Sequence, residues 1–527
     1  MRLSVDTALI FFPRGGSAQV ARYLNREYNR RGFTTRIHAG SLGQPGDPGH
    51  APTFYSGLDL RPYDYNPAHH RFTDGRDPQA DPLPFHPSYE DRALGARGCP
   101  DPMFAAVAPT ADVRLTRAWT HHLARHRSQA PDVLHLHHLS HLQNAAYRAY
   151  SGVPRITTLH GTELKQIHGM RNRIDLAHHL GTTPHALADT LHPDHPHRER
   201  TLKQLAHDGR LDDDQDRLLR TTEWPKWRFA DYWHAALAAA VPHAGHIVAV
   251  SHHDRDLALR LLPALRDQTV PVITNGVDIS AFRPADLSDD QRMANLRRWL
   301  VTDPRGWAES RPPGSIRYTD TDLTRLHDSA TGRLRPLLLW VGRYLEFKKV
   351  PVLLKAVRQV RDQVPVPPVL LMWGGYPGEC EGEHPADIAR RLGIDRDVYF
   401  IGWRGHDELP AGLHTADLMV APAVNEPFGM VYLEAMGCGT PPIATDTGGP
   451  ARTITPAGHD ATGWLVRPND AVSLAAAIKQ ALVDPRERAR RAANGARHVQ
   501  DVYDWAPVAD RYAEQYEQAI HARQHQQ

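Results

Sequence analysis

The sequence predicts an α/β chain built from two successive doubly wound parallel sheets with long insertions, and three observations carry that reading. Its 527 residues exceed what a single core accommodates. Short apolar runs alternate with amphipathic helical patterns along both halves, the pattern of parallel strands joined by helical crossovers. Residues with chemistry to offer sit just past the apolar runs, where open parallel sheets gather their ligands.

Leu3 to Phe12 reads as a buried strand, Arg14-Gly15-Gly16-Ser17 as a tight turn and Ala18 to Arg31 as an amphipathic helix. Gly32 ends that helix before a second strand near Thr34 to Ala39. Residues 43–110, rich in Pro, Gly, Asp and His and without periodicity, read as a surface excursion. A helix near Val113 to Arg127, the strand Asp132 to His138, another helix and the strand Arg155 to His160 follow. A second excursion, about 165–225, is polar and His-rich. Then come a helix from Trp227 to Ala240 and strands His246 to Ser251 and Val270 to Thr274, the last running into Asn275-Gly276-Val277-Asp278. The irregular stretch Pro284 to Pro336 leads to a second series of strands: Leu337 to Gly342, Val369 to Trp373, Val398 to Ile401, Asp417 to Ala421 and Pro442 to Thr445. The expected domains are therefore 1–278, with a returning helix at about 503–522, and 279–502, their sheets facing a cleft.

Composition excludes several partners. A net charge of +2 gives no electrostatic reason for nucleic acid. No run of about 18 apolar residues suggests a membrane span, and no amphipathic basic helix suggests docking to one. The apolar stretch of MRLSVDTALIFFPRGG stops at Pro13, too short for a secretion signal. Cys99, Cys380 and Cys438 lie far apart without CxxC spacing, which fits a reducing cytoplasm and no structural zinc. Lysines number only seven, so the adjacent Lys348 and Lys349 stand out.

The segment NEPFGMVYLEAMG places Glu426 and Glu434 with seven residues between them, either side of Phe428-Gly429. Glu426 falls in a loop after an apolar strand and Glu434 inside the helix that follows. Helix amides attract an anion, while a carboxylate inside that helix accepts hydrogen bonds from vicinal hydroxyls. A diphosphate beside a ribose meets both demands; an ordinary strand-loop-helix with solvated glutamates is the alternative. Gly342-Arg343 and Lys348 leave another strand end as a planar cationic fork and a point charge, both suited to a diphosphate. His160, closing an apolar strand before Gly161, is placed for a cleft, with a satisfied structural histidine as the other reading. His137 and His138 also end a strand. Asp212-Asp213-Asp214 and Asp320-Thr321-Asp322 carry the DxD spacing of manganese sites but lie away from strand ends, where solvated charge is the better reading. The His clusters lack cysteine partners and HExxH spacing, which argues against zinc. Gly15-Gly16 lacks the GxGxxG spacing of a dinucleotide site.

Taken in order, FFPRGGSAQVARYL, DVLHLHH, TLHGTEL, IVAVS, TNGVD, WVGRYLEFKK, VYFIGW, ADLMVAPAVNEPFGMVYLEAMGCGTPPIATDTGG, TGWLVRP and YDWAPVADRY resemble the retaining glycosyltransferases of family four. The resemblance implies the two-domain GT-B fold. It implies that Glu426 touches donor sugar hydroxyls, Glu434 holds the ribose, and Arg343 and Lys348 stabilise the leaving diphosphate. Gly16, Gly342, Trp403, Phe428, Gly429, Met430 and Val431 would complete the donor site, and His160 would lie across the cleft near the sugar. Gly15, Ser17, His86, Tyr89, His137, His138 and Glu163 are the acceptor candidates. Of these, His86 and Tyr89 belong to Pro84 to Arg92, PFHPSYEDR, which is equally an ordinary solvated loop.

The chain departs from the family at Lys349, which takes a position usually held by glycine, and at Arg452, where a glutamate is common. The expected reaction moves a hexose from a nucleoside diphosphate sugar, UDP-sugar preferred, to a hydroxyl of a small soluble polar acceptor such as a sugar, a cyclitol or a nucleoside-like natural product. Retention, no metal and no cofactor beyond the nucleotide sugar are expected, in the cytoplasm. A disaccharide synthase or phosphorylase of the same fold is the alternative enzyme, and an inactive sugar-nucleotide-binding subunit the alternative from another class.

Overall fold

The computed structural model describes residues 3–13, 15–47, 49–88, 102–126, 130–377 and 380–524. They form two compact units, Met1–Ile273 with Ala509–Gln527, and Thr274–Val508. The division expected after 278 and after 502 moves for a local reason. The Val277 N–H donates to the Tyr503 carbonyl at 2.7 Å, and Trp505 packs where a Cβ on Gly276 would stand, so both segments belong to the second unit.

The first unit holds a parallel sheet of β1 (Ser4–Leu9), β2 (Thr34–Ser41), β3 (Leu60–Asp64), β4 (Val133–His137), β5 (Arg155–Leu159) and β6 (His246–Ala249). Its order is β3-β2-β1-β4-β5-β6, so the winding reverses between β1 and β4. Strands β1 and β4 are buried almost throughout, as crossover helices on both faces require. The strand expected at Val270 to Thr274 is reduced to a single parallel bridge between Val272 and Ala249.

Two expectations are overturned here. The described residues of 43–110 are not a surface excursion: they contribute edge strand β3 and send Tyr65, Phe85, Met103, Phe104 and Val107 into the main core. Pro62 within β3 hid the strand, and proline is tolerated there because the strand lies at the sheet edge. The polar stretch 165–225 is helical, with helices Thr162–His179, Pro184–Thr190, Arg198–Asp208 and Asp213–Thr221. These close on a small core of their own around Leu176, Leu187, Leu191, Leu202, Leu219 and Trp224.

The second unit holds β7 (Leu337–Gly342), β8 (Val369–Gly374), β9 (Val398–Gly402), β10 (Leu418–Ala421), β11 (Pro442–Thr445) and β12 (Trp464–Val466). Their order, β12-β11-β10-β7-β8-β9, repeats the winding of the first sheet, with the reversal between β7 and β10. The stretch Pro284 to Pro336 is largely irregular but buries Trp299, Leu300, Trp307 and Leu326. No helix among the described residues is long and apolar enough to cross a membrane.

Candidate active site

In the second unit the candidate residues leave the two strands that flank the winding reversal. After β7 the chain makes a short turn, Glu346–Lys348, and enters the helix Val350–Arg361. After β10 it runs through Asn425 and Glu426 into the helix Met430–Gly437. Between them, Lys348 Nζ donates to Glu426 Oε2 at 2.5 Å, the side chains only 15% and 14% exposed. The same turns touch again through the Val424 N–H, which donates to the Phe347 carbonyl at 2.8 Å. Arg343 leaves the same strand end, partly exposed.

Glycines bring these loops to backbone contact. A Cβ on Gly374 would stand 2.1 Å from the Gly342 carbonyl oxygen, and one on Gly448 would stand 2.3 Å from that of Glu426. The Gly449 N–H donates to the same Glu426 carbonyl at 2.7 Å. Gly429, at φ +80, turns the chain into its helix beside Glu426, and Asn425 shares the left-handed region at φ +55. The amides of Met430 and Val431 then open the helix, a ready site for a phosphate oxygen. Phe428 is buried, and Trp403 packs its ring on Tyr376 at 5.1 Å.

Glu434 is buried, with its Oε1 accepting from His406 Nε2 at 2.7 Å. Sequence reasoning missed His406; its position four residues past the end of β9 was the available signal. Burial and the nearby Glu434 carboxylate push the Cys438 thiol up, which leaves it neutral.

In the first unit, His137 and His160 close β4 and β5, with His137 Nδ1 and His160 Nε2 2.9 Å apart. Burial and neighbouring histidines push both rings well below the ordinary histidine range, which favours a hydrogen bond between two uncharged imidazoles. His138, at φ +65, donates from Nδ1 to Glu163 Oε2 at 3.0 Å, and Glu163 Oε1 accepts from the His160 N–H at 2.9 Å. Gly15 caps the helix Gly16–Arg30 in an extended conformation where an added Cβ would meet nothing within 4 Å, and Ser17 follows in the first turn.

Three acceptor candidates lie in the interior of the first unit. His137 and Glu163 are fully buried and act on His160 and His138; neither reaches the surface. His86 is buried among Phe11, Phe12 and Tyr65, since the segment carrying it packs into the core. Tyr89 lies outside the described residues.

The two DxD look-alikes serve as helix starts. Asp212 caps Asp213–Thr221 in a reciprocal pair with Gln215, and Thr319 does the same with Asp322 while Asp320 pairs with Arg297.

Residues 329–499 match the family model of Glycosyl transferases group 1. A D-inositol 3-phosphate glycosyltransferase from Rhodococcus erythropolis is 28% identical over 269 residues, covering 50% of this chain and 52% of its own. The chain thus spans about half the length of the curated relatives it matches. Sucrose-phosphate synthase from Thermosynechococcus elongatus aligns over 99% of this chain and 100% of its own, with a TM-score of 0.58 and 18% identity. Anabaena HepE in complex with UDP and glucose aligns over 98% and 99%, with a TM-score of 0.55 and 15% identity. The chain therefore has the GT-B fold, and the match to the group 1 model falls in its second half.

Proposed function

We propose, from the match of residues 329–499 to the group 1 glycosyltransferase model in a chain of GT-B fold, that this protein transfers a hexose from a nucleoside diphosphate sugar to a hydroxyl of a small polar acceptor. The observation that carries the reading is the Lys348–Glu426 contact at the reversal of the second sheet, with the amides of Met430 and Val431 alongside. It joins a phosphate-binding cation to a hydroxyl-binding carboxylate at the place where such sheets bind nucleotides.

Lys348, Arg343 and the helix amides receive the diphosphate, and Glu434 accepts from the ribose. Glu426 accepts from the hexose. In the reaction the bond from the anomeric carbon to the β-phosphate oxygen breaks and a bond to the acceptor oxygen forms on the same face. The acceptor proton passes to the leaving phosphate, so products are the glycoside and the nucleoside diphosphate. Fixed cations facing the charge that grows on that phosphate supply the main rate term and take the place of a metal. UDP is the preferred nucleotide, supported by a neighbour of the same fold that holds UDP with glucose. The relative that acts on D-inositol 3-phosphate supports a cyclitol or sugar acceptor.

Purified protein with EDTA should convert one member of a nucleotide-sugar panel in the presence of sugars, cyclitols and their phosphates, read by mass spectrometry. Lys348→Ala should fold and lose roughly a hundredfold in turnover, the scale of one preorganised stabiliser of developing charge. Neither transfer nor donor hydrolysis across the panel would overturn the reading. Activity that EDTA abolishes and manganese restores would overturn its metal-free form.

A further inference from the structure

Glu434 carries a burden that its place in the helix does not explain. Its side chain is 5% exposed, and the carboxylate is already engaged, Oε1 accepting from His406 Nε2 at 2.7 Å. The histidine is itself held. Its ring lies on Phe282 with centroids 5.0 Å apart, and the loop that carries it is anchored at Arg404. That guanidinium, fully buried, donates to Asp303 Oδ2 at 2.9 Å and to the Trp299 carbonyl at 3.2 Å. One N–H on Oε1 removes the carboxylate's rotational freedom and leaves Oε2 with its lone pairs for hydroxyl donors.

We infer that His406 is a positioning residue of the nucleotide site, holding the Glu434 carboxylate in the orientation that accepts the ribose. The inference rests on the ribose role of Glu434 proposed above. It makes nucleotide affinity depend on a histidine from another loop, 28 residues upstream of the carboxylate it orients.

Calorimetry of free UDP binding to the full chain tests this, with thermal melts to establish that each variant is folded. His406→Ala should weaken binding about tenfold or more, the scale of one hydrogen bond to a charged group. His406→Gln, whose amide can donate to the same oxygen, should stay within about threefold of wild type. In a Glu434→Gln background, His406→Ala should cost nothing further, since a residue acting through Glu434 has no effect once the carboxylate is gone. Wild-type affinity in His406→Ala overturns the inference, and so do losses that add in the double variant. A wild-type chain that binds no nucleoside diphosphate overturns the ribose reading itself, a separate result.

Discussion

At the residue scale the most instructive position is Lys349. Read from sequence it takes a position usually held by glycine; in the structure it sits at φ +52, ψ +41, in the left-handed region between the phosphate-side turn and its helix. A side chain there costs about 1–2 kcal/mol, partly offset because glycine loses more freedom on folding by about 0.5–1 kcal/mol. Lys349→Gly should therefore leave stability unchanged or raise it by up to about 1.5 kcal/mol. Lys349→Val, β-branched, should lower it by about 1–2 kcal/mol. Denaturant midpoints decide; a destabilised glycine variant would mean that the Lys349–Glu346 pair, 3.6 Å apart, outweighs the strain. Arg343, Lys348 and Glu426 stood out as candidates because they follow strand ends. Backbone dihedrals leave no mark on a sequence, and the partnership of Glu434 with His406 depends on how two loops fold toward each other.

At the scale of elements, the strands of the second unit were readable as unbroken apolar runs, whereas the helices of 165–225 were not. Arg198–Asp208 buries only Leu202 and Asp213–Thr221 only Leu219, too few apolar residues to set up a helical period, although Asp212 and Gln215 spelled out a capping box. Contact between loops was illegible for a different reason. The Gly448-Gly449 turn presses on the loop that carries Glu426: a Cβ on Gly449 would stand 2.3 Å from the Phe428 carbonyl oxygen, against backbone that cannot step aside. Gly449→Ala should cost about 1–3 kcal/mol, the range of overpacking a tight contact, and weaken nucleotide binding by shifting Glu426 and Gly429. Gly152→Ala is the control, since a Cβ there meets nothing within 4 Å. Equal melting temperatures for the two variants would show that the loop yields more freely than its contacts indicate.

Across the whole molecule the same winding occurs twice, yet the two units differ in what they bury. The second sheet surrounds its core with aliphatic and aromatic residues, while the first places histidines inside. Burial holds His122, His135 and His141 down to about 3, with His38 and His126 adding to the effect on the first and His86 on the last. In the second unit burial lowers His384 to about 4. An unfolded histidine titrates near 6.5, so above that pH both states are neutral and stability is at its full value. As pH falls from about 6.5 toward the folded values, the unfolded chain takes up protons that the folded interior refuses. Stability then drops by up to about 1.4 kcal/mol per pH unit for each such group. Lowered carboxylates of the second unit, such as Asp303 and Glu487, act with the same sign but only below their ordinary range near 4. Between about pH 6.5 and 4.5 the first unit should therefore loosen ahead of the second. Hydrogen exchange read by mass spectrometry, corrected for the intrinsic pH dependence, should show protection lost first in peptides from 133–160 and later in those from 337–374. Equal loss in both, or loss led by the second unit, would mean that the buried histidines of β4 and its surroundings take up protons without unfolding, through water admitted along His135 and its hydroxyl partners Tyr516 and Thr158, at 2.7 and 2.8 Å.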